Sequence, residues 1–165
     1  MSVANRFLLI GLILMIFSSA NCMGLFDFFR PRPQSGGRYI TEQQFKDNSA
    51  KQMQYTPQTL MQLRKIGVNA GNELKLEYFF YTNSLEKAKA FSKEIAKLGY
   101  TTKYGESQGV KNEFVVTGWT SKMKMDDKTV LSWTQMMCNL GYKFDCDFDG
   151  WGTSPDSGLN KVTAK

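Results

Sequence analysis

The segment 74-LKLEYFFYTNSLEKAKAFSKEIAKLGYTTKY-104 decides the fold. From Leu74 to Tyr81 the side chains alternate. Leu74, Leu76, Tyr78 and Phe80 share one face, and Lys75, Glu77, Phe79 and Tyr81 share the other. That period of two belongs to a strand with one face in a core. The period then changes. Asn83 is placed to cap a helix, with Glu86 three residues on as in a capping box. Leu85, Ala88, Phe91, Ile95 and Leu98 recur at helical spacing, and Gly99 stops the run. Residues 100–104 read as a second, short strand.

Beyond this segment the pattern repeats in kind. A loop over 105–111 leads to a third strand at 113–120. Asp126 and Asp127 open another helix, where negative charge suits the positive end of the helix dipole. Val130, Trp133, Met137 and Leu140 form its stripe, and Gly141 is expected to end it. Residues 142–149 alternate again, with Phe144, Cys146 and Phe148 inside and Asp145, Asp147 and Asp149 outside. Upstream, Thr56-Pro57 marks the start of a further helix over 57–70, carrying Leu60, Leu63, Ile66 and Ala70. The expected fold is α+β: a ferredoxin-like split β-α-β-β-α-β antiparallel sheet, two helices on one face, and an extra helix ahead of it.

The N-terminus has a different character. Arg6 precedes an apolar run from Phe7 to Phe17, followed by Ser18, Ser19, Ala20, Asn21 and Cys22. Residues 1–22 read as a signal peptide cut after Ala20, as a lipoprotein signal with Cys22 lipidated, or as an uncleaved anchor. For an anchor, Arg30, Arg32 and Arg38 favour a cytoplasmic domain. The expectation is an exported or membrane-associated chain, periplasmic or lipid-anchored. An inner-membrane anchor with a cytoplasmic domain is the alternative. Residues 23–55 read as a flexible basic and polar linker, 56–158 as the folded domain, and 159–165 as a polar tail.

Histidine is absent from all 165 residues. This excludes Ser–His–Asp and Cys–His nucleophiles, HExxH zinc helices and an imidazole base. No catalytic residue and no cofactor are expected. The net charge is +6, yet residues 73–158 hold eleven lysines against twelve carboxylates. The basic excess belongs to the flanks, so nucleic acid is not the expected partner of the domain. A basic linker fits an anionic membrane surface.

Several residues carry candidate chemistry. Asp145, Asp147, Asp149 and Asp156, with Gly150, have the 1-3-5-12 spacing of a calcium loop, although Phe148 and Gly152 depart from it. Asp145, Asp147 and Asp149 equally describe a solvated strand edge, or a strip that docks a basic partner. Phe79, Tyr81 and Trp119 are placed on the sheet face away from the core, open to a partner or covered by the 57–70 helix. Trp151 either anchors a partner or plugs the end of the sheet. Cys138 and Cys146 are read as buried thiols, with a disulfide as the alternative.

Residues 60 to 153 resemble the RraB family, named for a protein inhibitor of ribonuclease E. The resemblance is carried by "LRKIGVNAGNELKLEYFFYTNSLEKAKAFSKEIAKLGYTT" and by "MCNLGYKFDCDFDGWGT", which runs into Asp149-Gly150-Trp151. It implies a non-catalytic protein-binding regulator whose partner is that ribonuclease. The second reading is an exported or lipid-anchored domain that binds a ligand or Ca2+ at the Asp145–Asp156 loop.

Overall fold

A computed structural model describes residues 37–108 and 110–154. The elements in chain order are helix α1 (Glu42–Lys65), strands β1 (Glu73–Leu74) and β2 (Leu76–Thr82), helix α2 (Leu85–Ala96), strands β3 (Thr101–Glu106), β4 (Phe114–Trp119) and β5 (Met123–Lys124), helix α3 (Asp127–Lys143) and strand β6 (Asp147–Thr153). Four strands form one antiparallel sheet in the order β3-β4-β2-β6. That order is the ferredoxin-like one expected from the β-α-β-β-α-β pattern. A separate two-stranded sheet joins β1 to β5.

Strand β2 sits inside the sheet and shows strict alternation. Leu76, Tyr78, Phe80 and Thr82 are buried, and Glu77, Phe79 and Tyr81 are half-buried. Phe80 is the hub of the core. Its ring meets Phe91 of α2 at 4.5 Å and Phe148 of β6 at 4.9 Å, and Phe148 in turn meets Trp133 of α3 edge-on at 6.1 Å. Both helices therefore press on the same face of the sheet. Burying each of these large apolar side chains contributes about 1.5–3 kcal/mol.

Helix α1 starts fifteen residues before the expected site. Thr41 caps it: its hydroxyl accepts from the Gln44 amide, and the Gln44 side chain accepts from the Thr41 amide at 2.8 Å. Residues 42–55, read from sequence as linker, are thus helical, and Pro57 lies inside the helix rather than at its first turn. The helix also ends sooner, with Ile66 at its C-cap and Ala70 outside it. It packs against α3 and the outer margin of β6, and does not lie over the open face of the sheet.

Two further boundaries differ. Ser84, not Asn83, caps α2. Helix α3 runs past Gly141 to Lys143, so residues 142–146 are not strand. Gly141 is buried in the helix, where an added Cβ would lie 2.4 Å from the Cys146 carbonyl oxygen. Its lack of a side chain permits close packing and does not terminate the helix. Residues 1–36, with the signal, anchor and lipidation readings on them, and Asp156 lie outside the described residues. Among the described residues no helix is long and apolar enough to cross a membrane.

Candidate functional site

Asp145 belongs to no strand. It follows the end of α3 in a left-handed conformation, φ 58°, which Asp tolerates better than most residues. It is buried, not solvated. Its Oδ2 accepts from the Tyr39 amide at 2.8 Å and its Oδ1 from the Ile40 amide at 3.0 Å. Lys87 of α2 donates to Oδ2 at 2.6 Å. Burial alone would raise the Asp145 carboxyl, but the bonds from Lys87, Tyr39 and Ile40 outweigh it and hold the group below its usual range. Arg38 completes the clasp: its guanidinium stacks 4.2 Å from the Tyr142 ring centre and donates to the Tyr142 carbonyl. Residues 37–40 are thereby strapped to the domain, with Ile40 only 3% exposed.

The rest of the acidic run does different work. Asp147 accepts from Asn48 of α1 at 2.7 Å, and Asp149 is exposed beside a register shift in the β2–β6 pairing. The three carboxylates therefore do not form a common row, and the fourth member of the calcium-loop reading, Asp156, lies outside the described residues. Among the described residues no group of three acids or thiols is placed to hold a metal ion. Trp151 turns to the helical side. Its indole packs edge-on against Trp133 at 6.4 Å and donates to the Thr56 hydroxyl at 3.1 Å. Gly150 adopts φ 129° next to the Gln52 side chain, a backbone that favours glycine. Cys138 and Cys146 are both free and buried, and burial pushes each thiol up to about 12.

The opposite face of the sheet collects the remaining candidates. Directly paired residues share a face. One row across the sheet is Lys103, Thr117, Phe79 and Gly150; a second is Gly105, Val115, Tyr81 and Asp147; a third is Thr101, Trp119, Glu77 and Gly152. Phe79, Tyr81 and Trp119 are half-buried there. Burial raises the Glu77 carboxyl, with Lys103 opposing it. At the centre Thr117 is 7% exposed, and its hydroxyl has no hydrogen-bond partner. A buried polar atom left unpaired is uncommon and calls for a reason.

So the structure gathers Phe79, Tyr81, Trp119 and Asp147 on one face and sends Asp145 and Trp151 to the other side. A family model described as regulator of ribonuclease activity B matches residues 54–153. The chain belongs to that family. RraB is a family of regulators, which agrees with a regulatory, non-catalytic role. No curated protein matches it. The RraB match begins inside α1, so the strap and the first turns of that helix lie ahead of it. Sequence reasoning missed Asn48, Gln52 and Lys87, and the part that Arg38 and Tyr39 play in the Asp145 clasp. One signal for the early helix was present, the Thr41-x-x-Gln44 capping box.

Proposed function

We propose that this RraB domain regulates a ribonuclease of the E type by binding it through the open face of the sheet, and that it performs no chemistry of its own. The observation that carries the reading is that face: Phe79, Tyr81 and Trp119 lie half-buried on the side away from the two helices that cover the core face. Partly exposed aromatic side chains on an uncovered sheet face are what a protein interface uses as anchors. Asp145 and Trp151, by contrast, are engaged inside the domain. In this reading residues 1–22 direct the chain to the membrane or across it. A ribonuclease partner then requires a form whose domain faces the cytoplasm.

The test is calorimetry of the full chain against purified ribonuclease E, alongside mass spectrometry of the mature N-terminus. Phe79→Ala and Trp119→Ala are expected to weaken binding roughly tenfold or more each, without change in thermal stability beyond a few degrees. The reading fails if the parent chain does not bind, or if both variants bind as the parent does.

A further inference from the structure

The four-stranded sheet has two margins, and the fold treats them differently. Along β6, helix α1 supplies side chains in place of a neighbouring strand. The outward Phe148 carbonyl accepts from Asn48 at 2.7 Å and from Gln52 at 3.3 Å. Along β3 no strand lies on the outer side among the described residues. Two bonds fix which groups point outward there. The Ser107 amide donates to the Glu113 carbonyl, and the Thr120 amide to the Leu76 carbonyl. In an antiparallel ladder bonding direction alternates residue by residue. Odd residues of β4 therefore bond β3, and even ones bond β2.

The β3 partners of those odd residues are Thr101, Lys103 and Gly105. The N–H and C=O groups of Thr102, Tyr104 and Glu106 consequently face away from the sheet. Strand β3 contains no proline, its six pairs with β4 run without a bulge, and the Tyr104 side chain is 42% exposed. Edge strands usually carry a guard; on β3 the guard is charge alone, from Lys103 and Glu106, and such an edge stays open to a strand of matching charge.

We propose that the outer margin of β3 is a docking site for an extended segment of a protein partner, added as a fifth strand with an acidic side chain set against Lys103. This rests on the protein-binding reading above and names the backbone the partner uses. Lys103 is the one charged side chain that β3 presents on the open face; among the described residues no carboxylate lies within 4 Å of it, and Glu77 on the same face attracts it only from farther away. An added strand would extend the row that runs through Thr117 and Phe79. A second copy does not satisfy Lys103. Two-fold antiparallel pairing of β3 with itself keeps residues of one face together, so Lys103 would meet Thr101, Lys103, Gly105 or Ser107 of the other copy, never an acid.

The test uses hydrogen exchange of the full chain followed by NMR, with the blocked peptide Val-Thr-Asp-Thr-Val as probe and a Lys-for-Asp peptide as control. At saturating peptide the Thr102, Tyr104 and Glu106 amides are expected to slow by roughly tenfold or more, while those of Lys103 and Gly105 keep their rates. Lys103→Glu should reverse the preference between the two peptides. Tyr104→Pro should abolish the protection while leaving the fold intact, because the amide it removes makes no ladder bond. Should that variant unfold, the peptide preference of Lys103→Glu decides. The proposal is overturned if the probe leaves the edge amides unchanged, if protection appears on the open face alone, or if the edge amides are protected by raising protein concentration without peptide. No ribonuclease is present in this assay, so its failure is distinct from failure of the proposed function.

Discussion

The Trp151 indole donates to the Thr56 hydroxyl across 3.1 Å, and that hydroxyl lies 3.1 Å from the Thr134 hydroxyl. Three elements, β6, α1 and α3, are pinned at one buried polar point. Trp151→Phe removes one donor and should lower stability by about 1 kcal/mol. Thr56→Val strands both neighbours and should cost about 2 kcal/mol. Urea unfolding of the two variants gives the ranking, and equal losses would show that the triad does not act as a unit.

Asp145 links stability to pH. Its folded carboxyl titrates below the unfolded one, so its contribution is complete above about pH 4 and fades as pH falls through the lower folded value. Asp145→Asn should be less stable at neutral pH by about 2–3 kcal/mol, since Lys87 loses its buried partner. The variant should also show a flatter acid limb, and its Tyr39 and Ile40 amides should exchange faster. An unchanged acid limb would remove Asp145 from the explanation.

Gly118 admits no side chain. A Cβ there would lie 1.9 Å from the Thr101 carbonyl oxygen and 2.7 Å from the Tyr78 hydroxyl, which itself donates to that oxygen. Gly118→Ala should destabilise by about 3 kcal/mol or more. Gly71→Ala, in open space, should stay within about 0.5 kcal/mol of the parent. Thermal melts of the pair check the contrast.

Asn48 and Gln52 protect the β6 margin. Asn48→Ala with Gln52→Ala leaves the Phe148 carbonyl bare and should cost about 2 kcal/mol. It should also cause self-association that grows with concentration. Sedimentation of the double variant at several concentrations measures this, and a monomer throughout would deny the helix its guarding role.

The elements with clean apolar periods were legible in the sequence. Strand β2 alternates because it is buried on one face along its whole length, and α2 carries its stripe in large apolar residues. The first half of α1 was not legible, because its buried residue there is Gln52, and a hydrophobic period cannot register a polar side chain that bonds to a strand edge. The run from Tyr142 to Asp149 misled for a related reason. Its apolar residues alternate by coincidence across a helix end, a left-handed Asp145 and a strand start. The open face was legible as a set, since Phe79, Tyr81 and Trp119 follow from the alternation of β2 and β4. The Asp145 clasp was not, because its partners Tyr39 and Ile40 lie more than a hundred positions away.

The closed β6 margin also sets how assemblies of this domain can grow. A sheet open at both margins can propagate indefinitely, each addition exposing a new template. Here α1 acts as a chain stop on one side, so strands can be received only beyond β3. Edge-to-edge growth from the intact domain therefore has a single direction, outward from β3, and no second end from which to proceed.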